Sequence, residues 1–367
     1  LAEQLSKEER KKRRSRRKYD KGEQNERAKS WLREWLDALL FAAVAALIIR
    51  TFFFEAYRIP TPSMEKTLLT GDFLIVSKIN YGPRTPMILS IPFTNIYLPG
   101  VVLPWTRLPG LSDVERNDIV VFNYPIDLAP IAGKTNYIKR CVGLPHDTLS
   151  LDKGELYVNG DHAKTFSGIE HNYVVNVRER VRLSPAKVKA AGGKLFSAQG
   201  PSSYRVNMTK EVADKIRQWP EVTDVHMFVL PKDLNEYSRL EFSFSKGFKN
   251  HHYLPPTVVP FKGETVTLTP ENYHIYENII TRYERNNVER DGDQFIINGK
   301  RTSKYTIKQD YYFMMGDNRD NSEDSRFWGF VPRSHIIGEA SIIYFSWDSE
   351  RWLPRFGRIL NLIDDKK

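Results

Sequence analysis

A polar, charge-rich tail gives way to the first apolar stretch of the chain at residues 36–54 (LDALLFAAVAALIIRTFFF). Asp37 and Arg50 interrupt it, and the uncharged run between them (38–49) is shorter than the roughly 20 apolar residues that a bilayer crossing needs. With Trp31 and Trp35 before it and Phe52, Phe53 and Phe54 at its end, the segment reaches spanning length. Arg50 then falls near one end, where a long side chain reaches the interface. A cleaved export signal places small residues after its apolar run. Three phenylalanines and Glu55 stand there instead, so the pattern predicts a retained transmembrane helix over 35–56.

Beyond the anchor the pattern becomes that of strands. Residues 73–79 (FLIVSKI), 119–122 (IVVF) and 137–142 (YIKRCV) are short runs rich in β-branched residues, the first two preceded by Gly71-Asp72 and Asn117-Asp118. Residues 156–158 run into Asn159-Gly160 and 295–297 into Asn298-Gly299, the residue pair that two-residue type I′ hairpins favour. A last strand is predicted at 340–347. Two helices interrupt this β pattern. Thr269-Pro270-Glu271 reads as cap, first-turn proline and first-turn acid, followed by Ile275, Tyr276, Ile279, Ile280 and Tyr283 at helical spacing. Val212, Ile216 and Trp219 mark a shorter helix, stopped by Pro220. Residues 83–109 hold six prolines and only two charges, Arg84 and Arg107, which excludes a helix; the segment either rests on a membrane or packs irregularly into the core. No fixed-period repeat is present.

Length and charge narrow the picture. The chain has 367 residues, enough for one large or two modest domains. Residues 1–33 carry 13 Lys/Arg against 6 Asp/Glu, which is +7 of the total +10. The body is therefore nearly neutral, against a nucleic-acid-binding surface, and no nucleic-acid partner is expected. Thirteen basic residues before an apolar helix place the N-terminus in the cytoplasm and the rest of the chain on the opposite face. The single cysteine, Cys141, permits no intrachain disulfide and is expected in the core. The first residue is Leu1 rather than Met, and a few residues are expected to precede it.

Three segments carry candidate chemistry. Ser63 lies in Ile59-Pro60-Thr61-Pro62-Ser63-Met64, just past the anchor, where a serine among prolines is by itself a turn residue. Lys139 and Arg140 are adjacent in a predicted strand, so one of them should point inward. Residues 316–326 (GDNRDNSEDSR) form a dense polar turn after Phe313-Met314-Met315, and two arginines within it argue against a calcium loop.

Together these segments resemble the bacterial type I signal peptidase (leader peptidase) family. The resemblance rests on IRTFFFEAYRIPTPSMEKTLLTGDFLIVSK, on ERNDIVVFNYP with NYIKRCVGLPHD, and on FMMGDNRDNSEDSRFWGFVP, in this order behind an anchor. It covers 49–78, 115–160 and 305–348, about a third of the chain. It implies a mostly β fold of the signal-peptidase/repressor Ser-Lys protease type, with a cap-like insertion and one N-terminal transmembrane helix. The implied divisions are a basic cytoplasmic tail (1–34), the anchor (35–56), a catalytic β domain (57–160 and 292–348), an inserted α+β region (161–291) and a C-terminal tail (349–367).

The resemblance also implies the roles. Ser63 matches the nucleophile and Lys139 the general base. Thr61, with the Ser63 N–H, matches the oxyanion hole, and Ser322 matches the serine that hydrogen-bonds and orients the lysine. Asp317, Arg319, Asp324 and Arg326 match residues that brace the loop by ion pairs. Ile59, Pro60, Met64, Leu68 and Ile138 match the lining of a pocket for small side chains. A solvated lysine titrates near ~10.4 and cannot accept a proton at neutral pH. Burial without a counter-ion lowers this by ~3–5 pH units, so Lys139 should have apolar neighbours and no carboxylate partner. Three of those pH units correspond to roughly 4 kcal/mol that the fold must supply.

The implied activity is removal of signal peptides from exported preproteins after a small-x-small motif, at the outer, periplasmic face of the bacterial cytoplasmic (inner) membrane. The lipid bilayer and the secretion translocon are the further partners, and no cofactor or metal is called for. The eight histidines are scattered, and His251-His252 is expected to be an exposed loop pair. Two departures stand out. His146 occupies a turn position where the family has glycine, and 161–291 is enlarged, as in members from Bacteroidetes-like bacteria. Other readings are a self-cleaving repressor-type Ser-Lys protease, disfavoured by the anchor, and an inactive membrane-tethered binding module, which would be expected to lack Ser63 or Lys139. The tail 351–363 is expected to pack as a terminal turn or lie on the membrane surface.

Overall fold

The structure, a computed structural model, describes residues 31, 33–87, 103–239 and 242–363. A 20-residue helix, Arg33–Phe52, covers most of the anchor predicted over 35–56 but ends earlier, since 54–56 already belong to a strand. At 1.5 Å per residue it is about 30 Å long, the thickness of a bilayer's hydrocarbon core, and no part of its apolar window is buried against the rest of the chain. The chain then passes almost directly into strand Phe54–Arg58. Lys78 fastens this junction, donating to the Arg50 carbonyl at 2.9 Å and pairing with Glu55 at 2.8 Å.

Phe54–Arg58 opens the main antiparallel sheet. Its order continues Asp72–Ser77, Ile336–Asp348, Ile119–Asn123, Asn136–Gly143, Tyr311–Met315, Val331–Pro332. Ile119–Asn123 and Tyr311–Met315 are buried at every position, which is why they read as continuous apolar runs rather than alternating ones. The 13-residue strand Ile336–Asp348 is longer than the sequence pattern predicts: its start pairs with Ile119–Asn123 and its remainder with Asp72–Ser77, with register shifts on both sides. This order brings the turn after Arg58, the strand Asn136–Gly143 and the loop after Met315 to one place. Both Asn-Gly pairs form hairpins with positive φ at each residue: Asn159 55° and Gly160 90°, Asn298 50° and Gly299 80°.

The predicted helices exist with shifted bounds. Thr269 and Asn272 hydrogen-bond each other reciprocally, as in a capping box, and the Tyr273 N–H reaches the Thr269 carbonyl (3.0 Å); the regular helix runs Tyr273–Glu277 before widening into the π-helical Asn278–Tyr283. Lys210–Arg217 is capped by the Thr209 hydroxyl and buries Val212, Ala213 and Ile216. A third helix, Pro185–Ala191, buries only Val188 and so gives no periodic apolar signal.

The 161–291 stretch is divided in its packing. Strands Val222–Met227, Glu170–Val177, Ser203–Thr209 and Lys194–Ala198 form a separate sheet, whose core holds Val175, Val206, Met208 and Ile216. Strand Leu254–Val258 instead pairs with Thr148–Asp152, and Ile279 and Ile280 share a core with Leu149, Phe295 and Phe313.

Residues 88–102, the middle of the proline-rich segment, lie outside the described residues. The segment's flanks pack onto the main sheet, with Arg84 donating to Asn123 Oδ1 at 2.8 Å and Arg107 to the Ile336 carbonyl at 2.7 Å. The C-terminal strands Leu353–Pro354 and Asn361–Leu362 pair with Ile336–Asp348 and leave Trp352 and Phe356 exposed. His146 adopts φ 76°, the left-handed backbone that explains the glycine expected there, and its ring stacks on Phe261 at 3.5 Å.

Candidate active site

Ser63 sits on a single 3₁₀ turn, Pro62–Met64, between the first two strands of the main sheet. Pro60 and Pro62 lack N–H groups and keep this stretch out of a longer helix. The base of the turn is pinned by two backbone bonds, Ile59 N–H to the Asp72 carbonyl (2.8 Å) and Gly71 N–H to the Ile59 carbonyl (3.0 Å). Gly71, at φ 94°, passes so close to the Trp347 carbonyl that a Cβ would lie 2.2 Å from its oxygen. Met64 is fully buried beneath the serine.

Lys139 lies at mid-strand in Asn136–Gly143 and is 4% exposed. Its Nζ is 2.7 Å from Ser63 Oγ and 3.1 Å from the Ile138 carbonyl oxygen. Among the described residues it forms no ion pair. Burial pushes its pKa down to about 8, against the opposing fields of Asp324, Glu323 and Asp317. The sequence-based expectation that only one of Lys139 and Arg140 points inward needs correction, since both are buried. Strand alternation sends them to opposite faces, and each finds its own partner. Arg140 forms a bidentate pair with Asp317, through Nε (2.8 Å) and a terminal nitrogen (2.7 Å).

The loop after Met315 closes over the pair. Gly316 packs against the Ser63 carbonyl oxygen, where a Cβ would come within 2.6 Å. Asn318 donates from its N–H to the Ser63 carbonyl (3.1 Å) and from its side chain to the Pro62 carbonyl (3.3 Å). Two expectations for this loop differ from what is found. Ser322 Oγ is buried beside Gly316 but makes no hydrogen bond; Lys139 has taken the Ile138 carbonyl instead. Arg319 forms no ion pair among the described residues, because Arg140 already satisfies Asp317 and Arg326 satisfies Asp324 at 2.8 Å. Its buried Nε lacks a partner, and burial lowers its pKa to about 10. Arg140, which pairs with Asp317 at this site, is the residue that sequence reasoning missed, and its only signal was adjacency to Lys139.

Ile59, Met64 and Leu68 join one buried cluster, against which Ile138 packs, while Pro60 and Thr61 are exposed on the turn. The Thr61 hydroxyl makes no capping bond. A cavity lies elsewhere, lined by Trp105, Asp127, Lys134, Tyr283 and His335 among others, and neither Ser63 nor Lys139 lines it. The pair His251-His252 is not an exposed loop pair: His252 is buried, the His251 side chain is only 10% exposed, and both rings face Asp320, at 3.2 and 3.0 Å.

A buried serine hydroxyl hydrogen-bonded by a lysine that lacks a counter-ion is the arrangement of an activated nucleophile and its base, the chemistry of Ser-Lys hydrolases. The family model described as "Signal peptidase, peptidase S26" matches residues 32–236 and 253–347, and the chain belongs to that family. It is 27% identical over 306 residues to signal peptidase I of Buchnera aphidicola subsp. Acyrthosiphon pisum, covering 83% of this chain and 72% of that protein. It is 28% identical over 326 residues to that of Pseudomonas aeruginosa (85% and 73%) and 27% over 315 residues to that of Aquifex aeolicus (86% and 85%).

Proposed function

We propose that this chain is a membrane-bound serine endopeptidase that removes N-terminal signal peptides from exported preproteins after a small-x-small motif. The 2.7 Å bond from Lys139 Nζ to Ser63 Oγ, in a site that denies the lysine a counter-ion, carries the reading. Neutral Lys139 accepts the Ser63 proton as Oγ attacks the scissile carbonyl. The Ser63 N–H and the exposed Thr61 hydroxyl then serve as the donors to the oxyanion. Collapse leaves the signal peptide esterified to Ser63 and releases the mature N-terminus, which takes its proton from Lys139. Water, deprotonated by the same lysine, then frees the signal peptide as a carboxylate.

Ile59, Pro60, Met64, Leu68 and Ile138 would restrict the flanking subsites to small side chains. Asp317, Asp324 and Arg326 act as structural braces. The basic tail ahead of the apolar helix supports an orientation with the tail inside and the site at the outer surface of the cytoplasmic membrane, where preproteins emerge from the translocon. An inactive binding module would have no use for a buried lysine whose pKa is lowered beside a serine hydroxyl.

The pH dependence of kcat/KM tests this reading. Protonated Lys139 cannot act as a base, and a group titrating near 8 is about one-tenth neutral at pH 7. Activity should therefore rise with pH through an apparent pKa of about 8 and level off above it. A profile flat from about pH 6 to 9 would rule out Lys139 as the base.

A further inference from the structure

We propose that the His251-His252 pair and the strand Glu170–Val177 form a positioning brace, gripping Asp320 and so holding the 317–321 turn against the backbone of Ser63. The proposal rests on the reading of Ser63 as nucleophile and gives the enlarged middle region a part in catalysis.

The turn that touches Ser63 is held from the middle region at three points. Glu170 N–H donates to the Asp317 carbonyl (2.9 Å). Asn207 Nδ2 donates to Asn318 Oδ1 (3.0 Å), the same asparagine whose N–H and side chain bind the Ser63 and Pro62 carbonyls. The third point is Asp320. Its Oδ2 accepts from the Asn172 N–H (2.6 Å), and its Oδ1 lies 3.2 Å from His251 Nε2 and 3.0 Å from His252 Nε2. His171 Nδ1 lies 3.8 Å from Oδ2, and Arg326 adds its positive field. With its side chain 3% exposed, the Asp320 carboxylate depends on these donors.

Three ligand-type atoms, from His251, His252 and Asp320, lie within 4.8 Å of one another, which raises the alternative of a divalent cation. The proton inventory decides against it. The Leu230 N–H donates to His252 Nδ1 at 3.1 Å, so Nδ1 bears a lone pair and Nε2 bears the proton that points at Asp320. A cation on Nε2 would need that lone pair and would force a proton onto Nδ1, facing the Leu230 N–H. His251 has carboxylates at both ring nitrogens, Glu236 at Nδ1 (2.5 Å) and Asp320 at Nε2, so both carry protons and the ring is an imidazolium. Burial alone would lower its pKa, but these two bonds hold it above the ordinary histidine value. Protons, rather than a metal, hold Asp320.

The test compares two substitutions in the full chain in detergent, with preprotein cleavage kinetics and hydrogen–deuterium exchange of the 316–322 peptide. His252→Gln places an amide donor near Nε2, whereas His252→Asn keeps only an acceptor near Nδ1. His252→Asn should lower kcat by about 10–100-fold with little change in KM, since misplacement of about an ångström costs this much. It should also speed exchange in 316–322 while the 185–191 helix stays protected. His252→Gln should stay within about threefold of wild type.

Unchanged kcat and exchange in His252→Asn would overturn the brace. So would equal losses in both variants together with stoichiometric Zn²⁺ bound by dialysed wild type, which would make the cluster a metal site. Nitrogen-15 histidine NMR of the wild type needs no variant: it should find His252 as the Nε2–H tautomer and His251 doubly protonated, and an Nδ1–H tautomer of His252 would overturn the proposal. The exchange and NMR readouts need no cleavage, so they separate failure of the brace from failure of the Ser63 assignment.

Discussion

Replacing Lys139 by alanine is expected to lower kcat for preprotein cleavage by about 10⁴-fold, with KM changed only slightly. Among the described residues, Lys139 Nζ is the one hydrogen-bond partner of Ser63 Oγ, so no second base stands ready to replace it. An unassisted serine hydroxyl is a weak nucleophile, and the later steps also need a group that gives the proton to the departing amine and takes one from water. Lys139→Met keeps the aliphatic stem and should fail as completely, which separates lost chemistry from lost packing. Lys139→Arg should fail too, because a guanidinium stays protonated. Steady-state kinetics with a melting curve for each variant check this. A Lys139→Met enzyme that cleaves at a near-normal rate would remove the base from the mechanism.

The second large effect falls on stability. Asp317→Ala should destabilise the protein by about 3–5 kcal/mol, because breaking a buried ion pair leaves its partner charged and unpaired. Arg140, 2% exposed, would lose a bidentate acceptor, and the Thr67 hydroxyl would lose the carboxylate oxygen it donates to at 2.6 Å. Burial by itself would raise the Asp317 pKa, but the bonds from Arg140 outweigh it and hold the carboxyl below its ordinary value. A depressed pKa contributes stability that is present above the unfolded carboxylate pKa of about 3.9 and lost as pH falls through the folded value. Urea unfolding should therefore show wild type losing stability below about pH 4, with the variant's deficit shrinking there. A deficit under about 1 kcal/mol at pH 7 would mean that Arg140 finds another acceptor.

The parts of this molecule written in local patterns were legible in its sequence. The anchor is a composition signal, the Asn-Gly hairpins are a backbone requirement, and the buried strands are short apolar runs. Ser63 and Lys139 were not legible in that way. A serine between prolines and a lysine in a strand are ordinary, and only the longer stretches around them pointed to a family.

What could not be read depends on partners distant in the chain. Arg140 and Asp317 are 177 residues apart, and nothing near either says which of the loop's charges the arginine will choose. That choice left Arg319 without an ion pair, contrary to expectation. Ser322 was assigned to the lysine, but the Ile138 carbonyl competes for Nζ from the neighbouring position, a backbone effect no residue type announces. His251-His252 looked like surface because the surrounding sequence is polar. Their burial follows from Asp320, 68 residues beyond His252, and their protonation from the Leu230 N–H. His146 shows the converse: its left-handed backbone was hinted at by the glycine expected there, while its Phe261 partner was not.

The most direct test of the Ser63–Lys139 assignment is cleavage of a preprotein by Ser63→Ala beside wild type, both in detergent, with intact-mass analysis of the acid-quenched enzyme. Wild type should cut once after the small-x-small motif and, when quenched during turnover, carry the signal peptide's mass as an ester on Ser63. Ser63→Ala should fold normally, carry no adduct and cleave at least about 10⁴-fold more slowly. Cleavage by Ser63→Ala at a rate near that of wild type would contradict the assignment.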